Sequence, residues 1–291
     1  MSVEKRIRDR SQCLKTSEPV SGPKTILVQV HDDDGFQDRI DLSLSLARRY
    51  GAHLQFLHVI PSGAYRVAYG MGTCACEIVS TLEERAGELQ RQIETQLVAA
   101  EVSWEYERLT DDVKKALVLR AALVDLIVVG RDPRTREFGD AAATTVAYLL
   151  QNSSTPIWIA GGGTQALCSP AHAMIAWNGS VEVADTLRAA LGLLRKADAV
   201  DLVCVGEGEE GLLDAGSALA YLSRNGVRAR RVDRPQCFDD VADDLVDYAV
   251  AQEIGVIVMG GYSHNRTGEF LFGGVTRRLL LDCPVSLVLS R

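Results

Sequence analysis

No stretch of this chain approaches the roughly 18 consecutive apolar residues of a membrane-spanning helix, so the sequence predicts no membrane-embedded segment. Positive charge is short as well. The 31 Lys and Arg residues against 39 Asp and Glu leave a net charge of −8, and a surface of that sign repels polyanions, which predicts no nucleic-acid or anionic-lipid partner. The seven cysteines are odd in number and scattered, unlike the disulfide framework of a small secreted domain, and predict reduced thiols. Cys74 and Cys76 stand one residue apart with no second ligand pair in view, so no metal site is predicted there. The segment MSVEKRIRDRSQCLKTSEPVSGP lacks the apolar centre of a signal peptide, which gives the expectation of a cytoplasmic protein. Also missing is any recognisable nucleophile beside a base, paired carboxylates or metal cluster. Ser263 and His264 are neighbours without a third orienting group and read as a solvated loop pair. No catalytic residue is predicted.

What the chain does have is an ordinary globular composition, 47% hydrophobic and 24% charged, in 291 residues. That length suits two domains of roughly 140 residues better than one. The halves begin alike. Lys24 to Val30 reads as a strand, followed by a polar turn, a helix carrying Leu42, Leu46 and Ala47 on one face, and a strand ending at Val59. Ala173 to Trp177 opens the same series, with Ala184, Leu187 and Leu191 on the helix and a strand ending at Val205. In the first half the series continues as Thr81 to Ala100 (helix), Val102 to Leu109 (strand), Asp111 to Leu123 (helix) and Leu126 to Val129 (strand). The counterparts in the second half are Leu212 to Ser223, Val227 to Val232, Val241 to Ala251 and Val256 to Met259. Each half then closes on a Pro-led apolar strand, Pro156 to Ala160 and Pro284 to Leu289.

Strands alternating with helices predict a parallel sheet covered on both faces. The fold class is therefore α/β, with two doubly wound, largely parallel five-stranded sheets in tandem. The predicted divisions are a mobile tail over residues 1–22, a first domain over 23–160, a linker over 161–171 and a second domain over 172–291. An apolar last strand left at a sheet edge is a liability, so the two closing strands should pack against each other. The segment Pro61 to Ser80 has no equal-length counterpart and is predicted to be a lid or surface loop.

The segment VIVMGGYSHNRTGEFLFGGVTRRLLLDCPVSLVLSR, from Val256 to Arg291, carries the clearest chemistry. A buried strand ends at Gly260, and a polar loop leads to Gly273 and Gly274, which open a helix. Such a loop aims backbone N–H groups and the positive end of the helix dipole at an anion, which makes it a candidate phosphate cradle. A ligand of this architecture sits beyond the carboxyl ends of the strands, at the switch point of the sheet.

The spacing resembles the nucleotide-binding signature of the universal stress proteins: Gly, two residues, Gly, nine residues, Gly, then Ser or Thr. The matching positions here are Gly260, Ser263, Gly273 and Gly274. Ser263 replaces the second Gly and Gly274 replaces the hydroxyl residue. The first half departs further. After Gly130 its loop has Pro133 for the second Gly and Ala143 for the third, with Thr144 alone keeping the hydroxyl. Pro133 also removes an N–H donor, so the second half is the better candidate. Family members that bind ATP place an Asp after the first strand; His31 and Asn178 stand there in the two halves. Turn chemistry suffices for both positions: Asn178-Gly179 as a turn that starts a helix, and Asp32, Asp33 and Asp34 as caps of the helix that follows them.

The resemblance covers Lys24 to Arg291. It implies a tandem member packed as a pseudo-dimer, with a homodimer as a further expectation. It also implies a stress-response role, with ATP or ADP, and with it magnesium, bound in the second half without efficient turnover. The implied ligand set is Asn178 near the base, Val205 and Met259 lining the pocket, and Gly260, Ser263, Arg266, Gly273, Gly274 and Val275 around the phosphates. Arg277 and Arg278, on the helix, need no ligand. Two other readings stand beside this one, an interaction module without nucleotide and a weak ATPase.

Overall fold

The computed structural model describes residues 22–63, 75–130, 145–161, 172–206, 213–261 and 273–291. The first half runs β1 (Thr25–Val30), α1 (Phe36–Tyr50), β2 (His53–Pro61), α2 (Ala75–Val98), β3 (Trp104–Asp111), α3 (Val113–Ala121), β4 (Leu126–Val129), α4 (Thr145–Asn152) and β5 (Ile157–Ile159). The second runs β6 (His172–Ala176), α5 (Val181–Ala189), the single turn α6 (Leu191–Leu194), β7 (Ala199–Val205), α7 (Ala215–Arg224), β8 (Ala229–Arg234), α8 (Val241–Ala251), β9 (Val256–Gly260), α9 (Gly274–Asp282) and β10 (Ser286–Ser290).

Local chemistry sets these boundaries. Asp112, Ser180, Asp214 and Asp240 cap α3, α5, α7 and α8 by accepting backbone N–H groups of Lys115, Val183, Ser217 and Ala242, which satisfies donors that a first helical turn otherwise leaves orphaned. Gly51 ends α1 at φ 61°, the left-handed conformation that glycine adopts without penalty. Leu89, Ile93 and Leu97 bury one face of α2. This helix begins at Ala75, so the end of the segment expected as a loop from Pro61 to Ser80 is helical instead, and Pro61 itself closes β2. Sequence reading missed the extension because the apolar face of α2 is dense only beyond Ala86.

All strands join one ten-stranded sheet in the order β3-β2-β1-β4-β5-β10-β9-β6-β7-β8. The two five-stranded sheets expected from sequence are therefore hydrogen-bonded into one. Every pairing is parallel except β5 with β10, which is antiparallel, with Leu287 opposite Ile159, Val288 opposite Trp158 and Leu289 opposite Ile157. The sequence dictates which strands lie where. The outer strands β3 (WEYERLTD) and β8 (ARRVDR) are charged and half-exposed, as edges must be to stay unpaired in water. β5 and β10 are buried at every residue, and side by side at the centre neither is left as an edge.

One core cluster lies on each face of the sheet, and each takes residues from both halves. Polar contacts cross the seam as well. Gly161 N–H donates to Ser286 Oγ at 3.2 Å, Tyr50 Oη to the Leu193 carbonyl at 3.3 Å, and an Arg291 Nη1 to the Gln151 carbonyl at 3.0 Å.

Candidate functional site

The sheet order places β1 beside β2 and β4, and β6 beside β7 and β9. The chain leaves β1 and β6 in one direction and returns on the other side, which creates a crevice at each carboxyl edge, between β1 and β4 and between β6 and β9. The two crevices are furnished differently.

In the first half, Arg39 lies on the apolar face of α1 with its side chain 0% exposed. It donates from Nε to the Gln29 carbonyl at 3.0 Å, from Nη2 to the His31 carbonyl at 2.7 Å, and from Nη1 to both Asp33 oxygens at 2.9 and 3.0 Å. These acceptors lie at the end of β1, and the guanidinium also covers the residue after β4. A Cβ added to Gly130 would fall 1.9 Å from Arg39 Nη1. Gly130 is thus a glycine that makes room for an arginine. The neighbouring Asp32 receives Arg85 of α2 at 2.6 and 2.8 Å, and that hydrogen bond holds its carboxyl below the ordinary range. The expectation that the Asp run caps α1 fails for this reason. Two of its three carboxylates are committed to arginines, the N-cap is Gly35, and no side chain caps the helix. His31 is exposed. Further along the same edge, His58 Nδ1 meets Tyr106 Oη at 2.8 Å. Burial, reinforced by Arg108 and His31, pushes the His58 imidazole down to about 4.

In the second half, the parallel register sets Ile175 opposite Val258 and Ala176 opposite Val203, and Trp177 N–H donates to the Val203 carbonyl at 2.9 Å. Val205 and Gly260 consequently end β7 and β9 on one edge, and Asn178 follows the end of β6 between them. Asn178 is exposed, and its Oδ1 accepts Ser180 N–H at 3.1 Å. This is the turn that the sequence predicted, completed by Gly179 at φ 78° and by Ser180 as N-cap of α5. Val205 is half-buried, whereas Met259 is buried with the core cluster on the α8–α9 face of the sheet.

A Cβ at Gly260 would fall 3.1 Å from Val183 N and 3.2 Å from Glu182 Cβ, so the missing side chain lets the start of α5 settle over β9. Gly273 and Gly274 have no such duty, since an added Cβ at either would meet nothing within 4 Å. Gly273 is the N-cap of α9, without a side-chain cap, and Thr276 Oγ1 of the first turn donates to the Gly260 carbonyl at 3.3 Å. That contact anchors the start of α9 beside the end of β9, with Val275, the second residue of α9, half-buried. Ser263 and Arg266 lie outside the described residues, as do Pro133, Ala143 and Thr144. Among the described residues, no group of three His, Cys, Asp or Glu side chains is disposed to hold a metal ion, and no helix is long and apolar enough to cross a membrane.

Sequence reading overlooked a second polar cluster, at the opposite edge of the sheet. Asp201, buried within β7, accepts Arg230 Nε and Nη2 at 3.0 and 2.9 Å, Tyr248 Oη at 2.7 Å and His172 Nε2 at 2.9 Å. Burial alone raises the Asp201 carboxyl, but these donors outweigh it and hold the group below its ordinary value. Both Arg39 and Asp201 had a usable signal, a charged residue at a position whose neighbours in the pattern are apolar, which requires a buried partner.

Comparison with known proteins places this geometry. Residues 23–161 match the model of the Universal stress protein family. Among solved structures, the universal stress protein from Archaeoglobus fulgidus DSM 4304 is similar over 93% of this chain and 97% of its own, at 13% identity and a TM-score of 0.67. A functionally unknown protein from Pseudomonas aeruginosa PAO1 is similar over 92% of each chain, at 12% identity and a TM-score of 0.54. At such identities the likeness is one of fold. No curated protein gives a significant match. Taken with the α/β order and the sheet topology, the match makes residues 23–161 a universal stress protein domain.

Proposed function

We propose that this protein is a tandem universal stress protein acting in the cytoplasm, its two halves forming an internal pseudo-dimer, and that its second half binds an adenine nucleotide without efficient turnover. The observation that carries the reading is the convergence of Asn178, Val205 and Gly260 at the β6–β9 crevice with the uncapped start of α9. The orphan N–H groups of that first helical turn and the positive end of its dipole suit a phosphate group. With Oδ1 of Asn178 engaged in the turn, its amide NH2 is the group offered to a base or ribose acceptor. The half-buried Val205 side chain offers apolar contact beside it. ATP or ADP, with magnesium carried on the phosphates, is the ligand class. Ser263 and Arg266 complete the loop between Gly260 and Gly273 in this reading.

The test is calorimetric titration of ATP, ADP and AMP, with and without magnesium, into the protein and into the doubly restored variant Ser263→Gly with Gly274→Ser. Recovered hydrogen bonds to phosphate should tighten ATP binding by about 1–3 kcal/mol. The open space around Gly274 lets the serine enter without strain. Unchanged affinity in the restored variant would sink the assignment. Binding without turnover is tested separately: a magnesium-dependent hydrolysis rate of several per second, lost on Gly273→Asp, would make the protein an enzyme instead.

A further inference from the structure

We propose that Arg39 is the permanent occupant of the first half's crevice: its guanidinium, held by Asp33 and by the carbonyls of Gln29 and His31, fills the space between the ends of β1 and β4, so this half takes no nucleotide and the chain holds one nucleotide, in its second half.

The crevice of a doubly wound sheet is open because nothing in the chain reaches it; here a side chain does. Arg39 projects from the face of α1 that also buries Phe36, Ile40 and Ser43. Its counterpart, standing the same distance after Asn178 as Arg39 stands after His31, is Thr186. Thr186 is equally buried but short. Its Oγ1 bonds to the carbonyls of Glu182 and Ser290 and accepts Ser290 N–H, which fastens α5 to β10, so the residue at this position does not reach the end of β6 as Arg39 reaches the end of β1. In the first half, four hydrogen bonds from a fully buried guanidinium fix a cation where the start of the loop after β4 would meet a ligand.

Gly130 shows how tightly the place is filled. In the signature this glycine lets a phosphate approach the backbone. Here the space a Cβ would need is already taken, by Nη1 at 1.9 Å and Asp33 Oδ2 at 3.2 Å. The ion pair is neutral as a unit, and every contact at its centre is internal to the chain, so a nucleotide would have to strip the Asp33 carboxylate, 12% exposed, from a fully buried guanidinium before it could enter. Breaking such a pair is strongly unfavourable, because it leaves the buried guanidinium without its counter-charge.

The one-nucleotide clause rests on the reading of the second half given above, and the experiment separates the two. In protein labelled with nitrogen-15 at arginine, the Arg39 Nε–H signal is identified by its absence in Arg39→Lys. Should that variant not fold, through-space contacts to the Gly130 α-protons identify it. A filled crevice predicts a signal that exchanges slowly with solvent at pH 7.5 and does not move when ATP saturates the protein, with a titration stoichiometry of one and loss of binding in Gly273→Asp. Rapid exchange of the signal, a shift of it on ATP addition, a stoichiometry of two, or binding that survives Gly273→Asp would each overturn the proposal. A protected Arg39 signal in a protein that binds no ATP at all would support the filled crevice while defeating the nucleotide reading of the second half.

Discussion

Replacing Gly161 by alanine tests the seam between the halves with a single methyl group. Gly161 follows β5 and lies against the start of β10. An added Cβ would fall 2.7 Å from the Pro284 carbonyl oxygen and 2.8 Å from both Ser286 N and Val285 C. All three neighbours are backbone atoms, so no side chain can swing aside; either β5 or β10 must shift. Overpacking of a filled core costs about 1–3 kcal/mol. The shift also strains the buried hydrogen bond from Gly161 N–H to Ser286 Oγ, worth about 1 kcal/mol net. Together these predict a loss of about 2–4 kcal/mol for Gly161→Ala. Gly274→Ala is the internal control, because its Cβ meets nothing within 4 Å at the first position of α9. There alanine should be neutral or stabilising by up to about 1 kcal/mol. Urea unfolding of both variants, followed by far-ultraviolet circular dichroism at pH 7, gives the comparison. A Gly161→Ala cost below about 0.5 kcal/mol, indistinguishable from the control, would refute the close approach of β5 and β10.

Three further predictions concern buried polar groups. Asp201→Asn should cost about 2–3 kcal/mol at neutral pH, since hydrogen bonds to a charged group are worth about 1.5–3 kcal/mol and the exposed Arg230 contributes little of that. The carboxyl is depressed in the folded state, so its contribution is present above the unfolded value of about 3.9. The gap between the two proteins should therefore narrow only as pH falls below about 4 in urea titrations. His58 behaves as a buried neutral imidazole held down at about 4. The unfolded chain binds that proton first, so stability should fall as pH drops from about 6.5 towards 4, and His58→Gln should flatten this slope. Trp158 is 1% exposed, and its Nε1 has no hydrogen-bond partner among the described residues. Trp158→Phe should cost less than the roughly 3–5 kcal/mol typical of deleting a buried aromatic ring, because it also removes an unsatisfied donor; a loss in that full range by the same assay would contradict this.

The architecture was legible in the sequence because its determinants are local or periodic. Continuous apolar runs such as Val256 to Met259 announced buried parallel strands, and the repeat of one element series announced two halves. The Pro-led strands announced their own pairing, since neither can be an edge. The points where the strand order reverses follow from the same logic, and the Asn178-Gly179 turn formed as its residue types require. What escaped was long-range polar chemistry. Nothing near Arg39 in sequence says that its side chain will reach back across the turn to the carbonyls of Gln29 and His31, or that Gly130, far along the chain, will yield it space. The same pairing took Asp32 and Asp33 away from the capping role their turn position suggested. At the opposite edge, Asp201 gathers partners from β6, β8 and α8, a cluster that exists only once the strands are in register.

The central claim, one nucleotide held at the β6–β9 crevice and none at the β1–β4 crevice, is tested most directly by photo-crosslinking with 8-azido-ATP and mapping of the labelled peptide by mass spectrometry. The account predicts label within residues 172–291, in the peptides carrying Asn178 or Val205, competed away by unmodified ATP. ATP-competable label in the peptides around His31 or Gly130, or the absence of any competable label, would contradict it.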